Sequence, residues 1–504
     1  MKNKILCLLE GFVDLGVVKS IQENIDCDLY ALIDTNKQLK KFFQEQRLVE
    51  FNKIWYYRDH VIKSNQKPDL KYLSHFEEKY HINLWLIAYA DRNFYEHNPY
   101  HKFTSNEILL IFEQECKLFE QILDEVQPDF VILKSPDYNQ SQLLFELCKS
   151  KDIKLLTLSH SRFPYRCIIS EETDKIDNYE KIINNYGTTN QKTFEELQNL
   201  MKGYYLQTSA VKNEHRASMK KKLKGSLKYF LSVCNSEYRQ YYVNFGRTRL
   251  HVLSNEISLY LKKLYREFFI KKYFKHKIDE NVPFVYFPLH FQPERSTLFV
   301  TPFYTNQLEV LSNVARSLPV EYKLYVKEHP VQVLNGWRNI SFYKSILSMP
   351  NVELLHPSLP NESLLKNCSL VITITGTLAL EAAFYRKPSI IFGDVIFSEL
   401  PSVYRIKNLE ELPRAIKSSL NKEVHLSDLN KYVSCVIENS FEFDNFGLDA
   451  QLHNRFFYGG FLFDVYVPTN DVISVIKENK LIFDKLSSEY IKKIKEHQNK
   501  IGTS

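Results

Sequence analysis

Between Pro283 and Asp394 short apolar runs alternate with amphipathic ones, and this restricts the region to a parallel sheet covered by helices on both faces. Strands are predicted at Phe284–Leu289, Tyr322–Lys327, Val352–Leu355, Leu370–Thr375 and Ser389–Phe392. Helices are predicted at Asn306–Ser317, near Tyr343–Ser348, at Glu362–Asn367 and at Leu378–Arg386. Ligands of such sheets gather outside the carboxyl ends of the strands. The sharpest strand-to-helix passage is Cys368–Pro388, CSLVITITGTLALEAAFYRKP. A helix opening on Gly376 between Thr375 and Thr377 presents unpaired N–H groups and the positive end of its dipole, which suits a phosphate.

The amino-terminal part alternates in the same way. Strands are predicted at Lys4–Leu9, Leu29–Ile33, Pro128–Leu133 and Lys154–Leu158, and helices at Leu15–Asn24, Ile108–Val126 and Gln140–Lys149; Phe51–Tyr100 carries no clear pattern. At 504 residues the chain exceeds a single core. The expected organisation is an α/β domain over 1–189, a helical connector over 190–280, a second α/β domain over 281–425 and a helical segment over 426–504 whose end, Ile491–Ser504, is expected to fray.

A formal charge of +6 is too small to argue for nucleic acid and fits an anionic substrate or loose contact with acidic lipid. The eight cysteines form no CxxC pair, and no apolar run reaches the roughly 18–20 residues that span a bilayer. A cytoplasmic protein is expected, at most peripheral at the inner face of the membrane. Lys220-Lys221-Lys222-Leu223-Lys224 reads either as a solvated helix face or as a contact for anionic head groups.

Four polar clusters follow strands of the second domain: His290–Thr297, Glu328-His329-Pro330, Gly376-Thr377 with Glu381 a turn on, and Gly393-Asp394. Together they describe one polar cleft. Thr375, Gly376 and Thr377 are expected to hold a phosphate through N–H and hydroxyl donors. His329, aimed by Pro330, would donate to that phosphate as it leaves. Glu294 and Glu381 are candidates to accept from sugar hydroxyls. Glu328 and Lys327 read as exposed flanks and His356 as structural. Asp26-Cys27-Asp28 lies at the wrong end of its strand for a metal-bound donor, and neither a metal-ligand cluster nor a GxxxxGK[ST] loop is present.

The runs PLHFQPERST, YKLYVKEHP and ITGTLALEAAFYRKPSIIFGD resemble the bacterial capsule polysaccharide biosynthesis proteins, GT-B glycosyltransferases that include Kdo transferases. The HP dipeptide followed by a Ser/Thr-rich strand end is also similar to bacterial sialyltransferases and polysialyltransferases. The likeness spans about Pro283–Pro401 and, more weakly, Pro128–Ser170. It implies two Rossmann-like domains facing a cleft. It also implies contacts to the phosphate of a CMP-sugar from His329, Thr375 and Thr377, with Gln292 and Glu294 lining the donor cleft. The acidic D/E-D/E-G motif of some sialyltransferases survives here only as Glu10-Gly11. The catalytic carboxylate is therefore open between Asp137, just past its strand, and Glu10. Arg162 and Arg166 are candidates to grip the carboxylate of an acidic sugar.

The reading is a metal-independent glycosyltransferase with a nucleotide-sugar as substrate and no cofactor. It would move a CMP-activated acidic sugar, such as Kdo or a sialic-acid-like compound, to a glycan or glycolipid acceptor. The alternatives are a UDP-sugar 2-epimerase or hydrolase on the same architecture, or a non-catalytic scaffold of a polysaccharide assembly complex.

Overall fold

The computed structural model describes residues 2–184, 191–202, 219–232, 240–334, 336–460, 462–463 and 465–502. Apolar runs buried on both faces form its strands, as parallel sheets require. The first sheet contains β1 (Asn3–Leu9), β2 (Cys27–Ile33), β3 (Lys53–Tyr56), β4 (Phe130–Lys134), β5 (Lys154–His160) and β6 (Arg166–Ser170). The second contains β7 (Phe284–Pro288), β8 (Lys323–Lys327), β9 (Val352–Leu355), β10 (Leu370–Thr373), β11 (Ser389–Ile391) and β12 (Val403–Arg405). A last short strand, β13 (Phe441–Glu442), returns to the first sheet.

The spatial orders are β13-β6-β5-β4-β1-β2-β3 and β12-β11-β10-β7-β8-β9. In the first sheet Ile5 pairs with both Leu29 and Phe130; in the second Val371 pairs with both Tyr286 and Ser389. Each sheet thus reverses its order once, between β1 and β4 and between β7 and β10. These are the switch points where adjacent connections diverge and leave a crevice. The architecture is α/β of GT-B type, two doubly wound domains facing one another.

Three expectations need correcting. β6 runs antiparallel to β5, pairing Ser159 with Ile168, so the first sheet is mixed at that edge. The carboxyl-terminal segment is divided: Leu426–Glu438 enters a core with Ala379 and Phe397 of the second domain, whereas the chain from Phe441 onward is an integral part of the first. Its final helix, Lys480–Gly502, packs on the helix Phe12–Asn24, with Ser20 Oγ donating to Asp484 at 2.7 Å and Ile491 and Ile494 buried. A Cβ at Gly16 would stand 2.6 Å from the Phe483 ring, so glycine is what lets the two helices meet. The stretch expected to fray is therefore helical to Gly502. Third, the connector is not one unit: Leu197 and Met201 enter a core with Ala379, Phe384 and Phe397 of the second domain. Met219–Ser232 and Arg249–Tyr273 are helices, as expected. The unpatterned stretch 51–100 holds β3 and the helices Leu70–Tyr80 and Leu84–Ala90.

Among the described residues no helix is long and apolar enough to cross a membrane. Cys234 lies outside them; the other seven cysteines are free thiols, all buried except the half-buried Cys27.

Candidate functional site

The two switch points open onto one cleft of about 1820 Å³. That exceeds the roughly 300–1,000 Å³ of a single small-ligand site and leaves room for two substrates. Its walls include Glu10, Gly11, Asp137, Tyr138 and Arg162 from the first domain, and His290, Glu294, His329, Pro330, Thr375, Gly376 and Thr377 from the second.

On the second-domain wall, His329 stands at the end of β8, where Pro330 opens the helix Pro330–Leu334. The Val331 N–H donates to His329 Nδ1 at 3.2 Å, which places the hydrogen of the neutral ring on Nε2. Glu328 and Lys327, expected as exposed flanks, are buried. Glu328 accepts from the His329 backbone N–H at 2.6 Å, from Tyr343 Oη at 2.7 Å and from Arg338 Nε at 2.9 Å. This buried ion pair fixes the turn that carries His329. Burial pushes the Lys327 ammonium down to about 8, and it donates to Leu359 O and Asn361 Oδ1.

The turn after β10 is organised by His290, which heads one of the four polar clusters but to which the sequence assigns no role of its own. His290 Nε2 lies 2.9 Å from Thr373 Oγ1 and accepts from the Thr375 N–H at 3.3 Å. An acceptor nitrogen carries no proton, so the ring is neutral, and burial reinforced by nearby His329, Arg338 and Arg162 holds its pKa down to about 3. Thr375 is consequently not a phosphate ligand: its N–H is spent on His290 and its hydroxyl donates to Ser296 O at 3.1 Å. Gly376 and Thr377 remain on the wall. A Cβ at Gly376 would stand 2.7 Å from Thr373 Oγ1, so only glycine lets the chain pass so close.

Two other expected donor contacts fall elsewhere. Gln292 gives its amide to Thr305 O at 2.7 Å and accepts from Arg338 Nη1 at 3.0 Å; it braces Arg338 and does not line the cleft. Glu381 is buried beneath its helix, off the cleft wall, and burial pushes its carboxyl up to about 8. Glu294 does face the cleft, and crowding by the walls raises its pKa.

On the first-domain wall, Glu10 follows β1 and Asp137 follows β4. Both keep more than a third of their surface open, yet the walls exclude enough bulk water to raise both carboxyls, Glu10 to about 7. Lys134, held 3.0 Å from Asp14, and Arg92 with Arg295 respectively oppose those shifts. Arg162 lines the cleft and binds Asp174 at 3.0 Å; Asp174 also pairs with Arg295 of the opposite domain. A second link across the domains joins Lys175 to Asp394 at 3.0 Å. Arg166 does not reach the cleft. Its guanidinium donates to Ser440 Oγ at 2.8 Å and to Ile437 O, tying β6 to the returning chain. Asp26 and Asp28 sit at the amino end of β2, away from the cleft, and Asp26 pairs with Lys2 at 2.7 Å.

The cleft is lined by cations and carboxylates in equal number, and several are already paired with one another: Arg58 with Asp34, and Arg162 and Arg295 with Asp174. The sequence did not reveal Arg92, Arg338 or the Asp174–Arg295 contact, because their partners are distant in the chain. Glu328 carried one usable hint: a carboxylate ending an apolar strand needs a cation, and Arg338 is ten residues away.

Residues 189–423 match the family described as "Capsule polysaccharide biosynthesis protein", just under half of the chain. No curated protein matches the sequence. Similar solved structures include the UDP-GlcNAc 2-epimerase of Methanocaldococcus jannaschii, at 13% identity and TM-score 0.24, covering 86% of this chain and 99% of that one. The UDP-GlcNAc 2-epimerase of Neisseria meningitidis bound to UDP-GlcNAc aligns at 11% identity and TM-score 0.26, covering 86% and 98%. Thermosulfurimonas dismutans KpsC, a beta Kdo 2,7 transferase, aligns at 12% identity and TM-score 0.30, covering 63% and 79%. TM-scores this low carry no conclusion about this chain.

Proposed function

We propose that this chain, whose residues 189–423 match the capsule polysaccharide biosynthesis family, is a glycosyltransferase of GT-B type, and we propose for it a donor and a proton path. The donor is a CMP-linked acidic sugar of the Kdo or sialic-acid kind, and the acceptor a surface glycan or glycolipid met at the membrane face. The observation that carries this reading is the convergence of both sheet switch points on one cleft, with His329 and Thr377 in the same wall.

In this mechanism the CMP phosphate sits between His329 Nε2–H and the N–H groups of Gly376 and Thr377. Those donors stabilise negative charge as the bond from the sugar's anomeric carbon to the phosphate oxygen breaks. The acceptor hydroxyl oxygen forms the new bond to that carbon and its proton passes to a carboxylate. Glu10 is the better-poised base, since a pKa of about 7 matches the working pH; Asp137 stands between Arg92 and Arg295 and is the alternative. Arg162 pairs with the sugar carboxylate, and the Asp174–Arg295 link holds the domains closed so that water is kept from the donor.

A thermal-shift series with CMP, UDP, GDP and dTDP tests the donor, because a ligand binding only the native state stabilises it by about 2.7 kcal/mol at 100 times its Kd. CMP should give the largest shift. A larger shift with UDP, together with nucleotide release that needs no acceptor, would replace this reading with the epimerase or hydrolase.

A further inference from the structure

Helix Met219–Ser232, MKKKLKGSLKYFLS, presents an apolar stripe that no described part of the chain covers. Leu223, Leu227 and Leu231 recur every four residues, so they lie on one side, and they are 66%, 62% and 75% exposed. The opposite side is seated: Gly225 is buried, Lys221 Nζ donates to Asn454 O at 3.2 Å, and Tyr229 packs against the first-domain core and borders the cleft. The helix therefore has a docked face and a free one, and the free one is apolar.

Its charge selects the occupant. The helix contains five lysines and no acidic residue. Lys220, Lys224 and Lys228 are exposed, and Lys224 and Lys228 follow Leu223 and Leu227 by one position, flanking the stripe on one side. A leucine stripe edged by lysines is complementary to a bilayer surface carrying anionic head groups, into which the apolar side chains sink while the ammonium groups stay among the phosphates. The other long exposed helix, Arg249–Tyr273, also shows apolar residues (Leu250, Leu253, Ile257, Leu264), but Glu256 and Glu267 interrupt its positive charge.

We infer that Met219–Ser232 docks this protein on an anionic membrane surface, with Tyr229 joining the docked helix to the cleft rim. The inference rests on the proposed membrane-borne acceptor for its purpose, but not on the identity of the donor.

Co-sedimentation of the full chain with phosphatidylglycerol–phosphatidylcholine vesicles, and with phosphatidylcholine alone, tests it. The wild type should bind only the anionic vesicles and be released by 0.5 M salt, on the order of a halved screening length or less. At about 1 kcal/mol per lysine, the triple change Lys220→Gln, Lys224→Gln, Lys228→Gln should weaken binding on the order of 10²-fold. Leu223→Ser with Leu227→Ser and Leu231→Ser should weaken it to a similar order. Both variants should keep the wild-type thermal unfolding midpoint, which shows that they fold and, needing no nucleotide, separates this test from that of the donor. Undiminished vesicle binding by either variant would overturn the inference. So would a wild type that ignores anionic vesicles, or a leucine variant whose only change is a smaller oligomer, which would assign the stripe to a second copy of the chain. Equal loss on Leu253→Ser with Ile257→Ser would overturn the assignment to this helix.

Discussion

Gly376→Ala is the substitution whose cost is most directly calculable from the site. The added methyl would stand 2.7 Å from Thr373 Oγ1 and 3.5 Å from His290 Cε1. Thr373 cannot simply swing aside, because its β-branched side chain is confined at χ1 and its hydroxyl is engaged by His290 Nε2 at 2.9 Å. Rotating it away gives up a buried hydrogen bond worth about 1 kcal/mol. Displacing the turn instead incurs the overpacking cost of about 1–3 kcal/mol. By either route the loss is about 1–3 kcal/mol, and displacement of the turn moves the Gly376 and Thr377 amides off the proposed phosphate position. If half of it appears as lost donor binding, nucleotide affinity falls by a factor of about 2–10, since about 1.4 kcal/mol is a factor of ten. Calorimetric titration with CMP measures that loss. Gly11→Ala is the control: it also borders the cleft, but its Cβ would meet nothing within 4 Å, so nucleotide affinity should be unchanged. Equal CMP affinity in Gly376→Ala and wild type would refute the placement of the phosphate at this turn.

Further outcomes follow from the same geometry. His329→Ala should lower sugar transfer by about 10²-fold or more with little change in thermal unfolding; a near-normal rate would remove His329 from the mechanism. If Glu10 is the base, transfer should rise along a limb centred near pH 7 that disappears in Glu10→Gln. The stability linkage has the opposite sense: a carboxyl raised on folding contributes most below its unfolded value near 4.5, and that contribution is lost as pH rises through about 7, so Glu10→Gln should flatten the corresponding part of the pH–stability curve. Arg162→Gln should raise KM for the donor, whereas Arg166→Gln should leave KM alone and lower stability at the β6–β13 edge; matching kinetic effects of the two would contradict their assignment to cleft and scaffold.

The alternation of apolar strands with helices was sufficient to locate both sheets, because buried parallel strands leave uninterrupted apolar runs such as Phe284–Phe287 and Leu370–Ile372. It missed β3, β6, β12 and β13: β3 and β12 are edge strands of four and three residues, and the antiparallel partner of β6, Phe441–Glu442, lies far along the chain. Strand ends gave the neighbourhood of the site, since His329, Gly376 and Asp137 all sit one to three residues past a strand. What strand ends did not give was the direction of each side chain. Gln292, Thr375, Glu381 and Arg166 have the right chemistry in the right region, and each is engaged by a nearer partner or turned beneath a helix. The residues that hold the site rigid, His290, Glu328 and Arg338, emerge only when distant segments are brought together. A hydrogen-bond network of that kind has no periodicity to read.

The most direct test is a crystal structure of the protein with CMP bound. The account requires the phosphate to lie within hydrogen-bond distance of both His329 Nε2 and the backbone amide of Gly376 or Thr377. A nucleotide seated against Glu10 and Lys134 on the opposite wall, with neither contact made, would contradict it.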